Sequence, residues 1–257
     1  MNNLWVNLQS KINGIGRSLV LLLMLPLLLW GCGSSTAQAD IDPKLESQVL
    51  EIIRKNPQVI LESVQAYQKA QRDQQSQAQD QILKQIQAKP QAFIQNSPTK
   101  GATSQKLILT EFSDFQCPFC AKAHAVVKQF IASRGDRVTL VYKHFPLTNI
   151  HPNAEPASLA SWAAQQQNKF WEFHDGLFEN QSQLGEDLYI SLATKLGLNV
   201  QKFNSDRQSE AAKQAVNKDV ELGKAIGVPG TPFFIINGVP LQPSNDLLTD
   251  LENAVKG

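Results

Sequence analysis

Lys106-Leu107-Ile108-Leu109-Thr110-Glu111-Phe112, then Cys117-Pro118-Phe119-Cys120, then Ala121-Lys122-Ala123-His124-Ala125-Val126-Val127 is the stretch that decides the fold. Its first part is apolar and strand-like, its last part favours a helix, and the two cysteines stand three positions apart where the helix begins. A pair so placed interconverts between dithiol and disulfide. A structural staple is a poor explanation, because the stabilisation a disulfide provides grows with the loop it closes and this ring is very small. A metal site is equally weak: Cys117, Cys120 and His124 supply at most three ligands and no second cysteine pair appears.

Working outward, Arg137-Val138-Thr139-Leu140-Val141-Tyr142-Lys143 reads as a second strand and Phe233-Phe234-Ile235-Ile236 as a third, buried one. Asn237-Gly238 is a turn signal leading into Val239-Pro240-Leu241, and residues 247–255 close the chain as a helix. Between the second and third strands, residues from about 152 to 225 are helical throughout, punctuated by Asn180, Gly185 and Gly197. Trp162, Phe170, Trp171 and Phe173 recur there at helical spacing, as core residues do.

Upstream, residues 41–97 form a Gln-rich region without glycine. Leu45, Val49, Ile52 and Ile53, then Ile60, Leu61 and Val64, mark two helices broken at Asn56-Pro57. The segment from Gln71 to Gln81 is polar all round, fitting either a solvated spacer or packing in an oligomer. Residues from Pro90 to Gly101 read as a linker, and the main domain covers 98–257.

The first 31 residues hold Lys11 and Arg17, no acids, and an apolar run from Leu19 to Trp30. At ~1.5 Å per residue that run covers about 18 Å, short of the ~30 Å hydrocarbon core, so it reads as a signal-peptide segment. Two cleavage sites compete. Leu29-Trp30-Gly31-Cys32 resembles a lipoprotein box that makes Cys32 a lipid attachment point, with residues 32–40 as linker; Ala37-Gln38-Ala39 suits ordinary cleavage after Ala39. Either cut predicts an extracytoplasmic protein and leaves Cys117 and Cys120 as the thiol pair. The chain of 257 residues has a net charge of +1, which gives no footprint for nucleic acid. No glycine-rich phosphate loop or haem-attachment motif suggests a cofactor.

Taken with Gly227-Val228-Pro229-Gly230-Thr231-Pro232-Phe233-Phe234, the run Glu111-Phe112-Ser113-Asp114-Phe115-Gln116-Cys117-Pro118-Phe119-Cys120 resembles the DsbA-like thiol:disulfide oxidoreductases. His144-Phe145-Pro146-Leu147, Ala160 to Ala164, residues 169–174 and Leu177-Phe178-Glu179-Asn180-Gln181 extend the likeness over residues 98–257. The helix pair around Pro57 is similar to the amino-terminal extension of relatives that oligomerise. The resemblance implies an α/β protein: a thioredoxin fold with a helical insertion, preceded by an N-terminal helical extension. It also implies a cis peptide before Pro232, a trans one before Pro229, and Thr231 as a backbone edge for extended substrates with its hydroxyl near Cys117.

Position assigns the chemistry within the pair. Cys117 stands where unpaired N–H groups and the helix dipole favour a thiolate, so it is the expected nucleophile; Cys120, one turn on, is the expected resolving thiol. Pro118 and Phe119 tune the couple and flank the substrate. Phe119 lacks the donor that strongly oxidising relatives place there, so the expected couple is oxidising but milder than ~−120 mV. Glu111, where relatives carry an acid, is the expected proton acceptor for Cys120 if it is buried; Asp114 ranks second, and a surface-facing Glu111 is the alternative. His124 is expected to bond locally on its helix, and His144, His151 and His174 have no assigned role.

The implied activity is disulfide formation in newly exported proteins, with reoxidation by a quinone-linked membrane partner of the DsbB or vitamin-K-epoxide-reductase type. The alternatives are a disulfide isomerase or reductase kept reduced by a membrane donor, favoured by homo-oligomerisation through residues 41–97, and a peptide-binding chaperone without turnover.

Overall fold

The computed structural model describes residues 42–242 and 244–256, so the signal segment, both cleavage sites and Cys32 lie outside the described residues. The chain divides into two units between Val59 and Ile60. In the first, α1 (Pro43–Lys55) begins at Asp42, whose carboxylate accepts the Lys44 N–H at 2.9 Å. It ends at Asn56, and Pro57 opens α2 (Pro57–Ala88), as the Asn-Pro break requires. Leu45, Val49, Ile52 and Ile53 of α1 are all exposed.

In the second unit, the apolar residues that return late in α2 have a purpose: Ile86 is buried, and Ile82 and Leu83 pack beside it against Phe112, Phe145, Ile226, Val228 and Ile235. The expected linker that follows is more ordered than its composition suggests. It contains a turn of 3-10 helix (Pro90–Phe93), the buried Ile94 and an edge strand, β1 (Thr99–Gly101). The succession then runs β2 (Leu107–Ser113), α3 (Pro118–Arg134), β3 (Val138–His144), α4 (Ala154–Gln165), α5 (Phe170–Glu179), α6 (Glu186–Lys195), α7 (Val200–Arg207), α8 (Glu210–Ala225), β4 (Phe233–Ile236), β5 (Val239–Pro240) and α9 (Leu247–Ala254).

The strands form one sheet in the order β1-β3-β2-β4-β5. β2 and β3 are parallel, joined by α3; the other pairings are antiparallel. Asn237 and Gly238 carry the positive φ values, 45° and 83°, that a two-residue hairpin needs between β4 and β5. Among the described residues, no helix is long and apolar enough to cross a membrane.

Because side chains alternate along a strand, the two faces differ. One carries Ile108, Phe112, Val141 and Ile235 beneath the end of α2 and α8. There α8 approaches so closely that a Cβ on Gly223 would stand 2.5 Å from the Phe145 ring. The other face packs on α3, α9 and the helical insertion. It is apolar at one end, with Leu109, Val138, Leu140, Phe234 and Ile236, and polar at the other, where Glu111 pairs with Tyr142 and Ser113 with His144. That polar end lies beside the cysteine pair.

Candidate functional site: a reduced cysteine pair over a buried carboxyl

The turn from β2 to α3 is held by Asp114, which is fully buried. Its carboxylate accepts the Gln116 N–H at 2.7 Å, the Leu147 N–H at 2.9 Å and His151 Nδ1 at 2.7 Å. Its carbonyl accepts the Cys117 N–H. Gln181, from just beyond α5, donates its side-chain amide to the carbonyls of Phe115 and Cys117. Cys117 thereby becomes the N-cap of α3 in extended backbone, with Pro118 in the first turn.

Both cysteines are free thiols. Cys117 is 3% exposed and Cys120 0%, whereas Phe119 between them is 64% exposed and has the Lys122 ammonium over its ring. The Cys117 thiol is pulled down from 9.0 to about 5, first by the hydrogen bond from the Cys120 thiol, and then by the backbone N–H groups of Cys120 and Phe119 and the Thr231 side chain, against the cost of burial. Burial pushes Cys120 far in the opposite direction, and the bond to Cys117 adds to that.

Thr231 comes from the other end of the chain. The Thr231–Pro232 peptide is cis, and it is the one cis peptide among the described residues, Pro229 being trans. Cys117 Sγ lies 3.3 Å from the Thr231 carbonyl oxygen, which accepts from the thiol, and the buried Thr231 hydroxyl acts on the same sulfur.

Glu111 faces inward, 2% exposed, and burial raises its carboxyl from 4.5 to about 7, with Ser113 acting against the rise. Ser113, on the same face of β2 as Glu111, also acts to lower Cys120 and Tyr142 against the effect of their burial. Cys117, Cys120, Thr231, Pro232 and Glu111 are therefore gathered at one end of the sheet, with Pro118 and Phe119 in the turn of α3.

The histidines differ from expectation. His124 does not bond locally; it is buried, stacked on Phe178 and 3.8 Å from the Asp175 carboxylate, which also pairs with His174 and Lys128. His124, His174 and Asp175 bring their donor atoms within 4.8 Å of one another, the one such cluster among the described residues. Lys128 Nζ lies 3.1 Å from the same carboxylate and supplies a positive charge there. His151 shapes the turn through Asp114. Ser113 was within reach of sequence reasoning, because it stands two positions after Glu111 and so shares its face; Tyr142 and His144 needed the strand register.

A family model described as Thioredoxin matches residues 94–255. The chain belongs to the thioredoxin family. The expectation of a DsbA-like member of that family is met at the level of fold. An alpha-DsbA2 thiol-disulfide exchange protein from Wolbachia pipientis superposes with a TM-score of 0.60 over 70% of this chain and 97% of that one, at 22% identity. A thioredoxin-like oxidoreductase from Silicibacter pomeroyi DSS-3 gives 0.57 over 63% of this chain and 91% of that one, at 26% identity. Among curated proteins, Na(+)/H(+) antiporter NhaA 1 of Mycolicibacterium vanbaalenii is 36% identical over 142 residues. That match takes in 54% of this chain but 23% of the antiporter, so the chain spans about a quarter of the length of this relative.

Proposed function

We propose that this chain is an extracytoplasmic thiol:disulfide oxidoreductase that forms disulfides in exported proteins by exchange through Cys117 and Cys120. The observation that carries the reading is the opposite displacement of two adjacent thiols, Cys117 down to about 5 and Cys120 upward. A thiolate that is stable at neutral pH is a good leaving group, and stabilising it favours the reduced protein, which makes the disulfide form an oxidant.

In the forward direction a substrate thiolate attacks Cys117 Sγ of the disulfide; the substrate–Cys117 bond forms, the Cys117–Cys120 bond breaks, and Cys120 leaves as a thiolate that takes a proton from Glu111. A second substrate thiolate then attacks the substrate sulfur, and Cys117 leaves as a thiolate. The substrate is oxidised by two electrons and the pair is reduced. Thr231 and Pro232 present backbone beside the sulfur for an extended peptide, and the exposed Phe119 offers it an apolar contact.

Reoxidation by a quinone-linked membrane protein of the DsbB or vitamin-K-epoxide-reductase type completes the cycle, and Cys32 as a lipid attachment point would keep the protein at that membrane. The exposed apolar residues of α1 favour a second reading, a homo-oligomeric isomerase or reductase kept reduced by a membrane donor. The glutathione equilibrium of the pair, with its redox state in acid-quenched cells, separates the readings. A potential well above ~−270 mV and a mainly oxidised pair support the oxidase. A thioredoxin-like potential or a mainly reduced pair supports the second reading, and peptide binding that survives Cys117→Ala without any exchange activity supports a chaperone.

A further inference from the structure

The seam between α3 and α5 brings together three donor atoms that the exchange reaction does not use. His124 Nε2 from α3 stands 3.8 Å from Asp175 Oδ1, and His174 Nδ1 from α5 stands 3.0 Å from the same oxygen. All three residues bring their donor atoms within 4.8 Å of one another. The other carboxylate oxygen, Oδ2, is taken by Lys128 Nζ at 3.1 Å, and Lys128 is held in turn by Glu179 at 3.2 Å. Both imidazoles therefore converge on one oxygen while the lysine occupies the other.

An ordinary buried ion pair does not need this arrangement. A separation of 3.8 Å is beyond hydrogen-bond reach, so His124 is aimed at the carboxylate without being bonded to it. Its ring is nevertheless fixed, stacked on Phe178 with centroids 5.0 Å apart. His174 is held more firmly still, with Phe115, Tyr142, Trp171 and Phe178 edge-on around it. Both imidazoles are buried, and burial favours their neutral form, bringing His174 down to about 4, so each offers a lone pair at neutral pH. Burial acts to raise the Asp175 carboxyl, but the bonds from His174 and Lys128 outweigh it and keep the group ionised.

Two neutral imidazoles and a carboxylate oxygen are a donor set for a borderline divalent ion such as Zn²⁺. Ligand bonds of ~2.0–2.1 Å around a tetrahedral ion place the ligand atoms about 3.3 Å from one another. The separations of 3.0 and 3.8 Å lie on either side of that spacing, and the two histidine nitrogens need to close by at most about 1.5 Å. Of the charged side chains around the seam, Asp175 and Glu179 are acidic, and Lys128 and Lys100, the latter over the Trp171 ring, are basic. Their charges cancel, so no excess of positive charge opposes the ion.

We propose that His124, His174 and Asp175 bind one divalent transition-metal ion of the zinc class between α3 and α5, with Lys128 as the outer partner that orients the carboxylate. A fourth ligand from solvent completes the shell. Sequence spacing set His124 beside Cys117 and Cys120, whereas the fold gives it ligand partners from another helix. The ion ties α3, which begins at the cysteine pair, to α5, just beyond which Gln181 holds the Cys117 carbonyl. Its binding does not depend on the exchange reaction proposed above.

The test is a titration of Zn²⁺ into the full chain with Cys117 and Cys120 oxidised to their disulfide and Cys32 alkylated, so that no thiol competes for the ion. Calorimetry is expected to give one Zn²⁺ per chain, and the thermal unfolding midpoint should rise with Zn²⁺ concentration. X-ray absorption of the loaded wild-type chain should show scattering from two imidazoles, with Zn–N bonds of ~2.0–2.1 Å. His124→Gln and Asp175→Asn should each weaken binding at least ~100-fold, the upper end of the ~10–100-fold that follows loss of an outer partner alone. No binding by the wild-type chain overturns the site and leaves the cluster an ion pair only. Binding with fewer than two imidazoles in the shell, or binding that both substitutions leave unchanged, overturns it as well. The absorption measurement is made on the wild-type chain, so it decides the matter even where a variant fails to fold.

Discussion

Cys117 Sγ lies 3.3 Å from the carbonyl oxygen of Thr231, although 114 positions separate the two residues. The start of α3 and the segment before β4 are thus brought together so that the reactive sulfur faces the backbone of that segment, and one of the influences on its acidity, the Thr231 side chain, comes from outside its own turn of chain.

Alkylation of Cys117 in the reduced protein should follow a midpoint near pH 5 and be flat at neutral pH. Cys120→Ala removes the largest stabilising contact, so the midpoint should rise toward 9.0 while staying below it, because the N–H groups of the first turn remain. A midpoint unaffected by Cys120→Ala would contradict this account of the thiolate.

Glu111 carries a stability cost with a definite sign. Its folded pKa, about 7, lies above the unfolded 4.5, so its contribution is intact below pH 4.5 and is lost as the pH rises through 7. Glu111→Gln should leave stability near pH 4.5 unchanged and raise it above pH 7, by up to about 3 kcal/mol at ~1.4 kcal/mol per pH unit. Urea unfolding at the two pH values measures the difference; an equal or lower stability of the variant at the higher pH rules the reading out.

Phe119 is exposed, so replacing it should not disturb the fold. Phe119→His adds an N–H donor beside the Cys117 thiolate. The glutathione equilibrium should move toward the reduced protein by about tenfold, equivalent to ~30 mV. No movement would show that the spacer does not reach the sulfur.

Lys143 and Asp219 form an ion pair whose lysine side chain is 1% exposed. Asp219→Ala leaves a buried ammonium uncompensated and also deprives the His144 N–H of its acceptor, so it should cost ~3–5 kcal/mol. Lys143→Met combined with Asp219→Leu should recover much of that loss, which urea unfolding of the single and double variants will show.

Much of this architecture is legible along the chain. The strands at 107–113 and 138–144 were visible in apolar runs, and the hairpin at Asn237-Gly238 followed from two residues that tolerate positive φ. The edge strand β1 was not. Thr99-Lys100-Gly101 has no alternation of its own and becomes a strand because β3 offers it an edge to pair with. Ile82, Leu83 and Ile86 were recognisable as an apolar return in α2, but what they cover, Phe112 and Phe145, depends on helix-to-sheet packing.

The sequence by itself determined the chemistry of the pair: two thiols at the start of a helix, the nearer one over unpaired N–H groups, because that follows from local geometry within four residues. It also showed that Glu111 precedes them on a strand. Only the tertiary structure decided that Glu111 points inward, that Thr231 faces Cys117 with its carbonyl, and that Tyr142, Ser113 and His144 continue the polar row. Those facts depend on strand register and on contacts across more than a hundred residues, and alternation along one strand specifies which residues share a face but not which strand lies beside them.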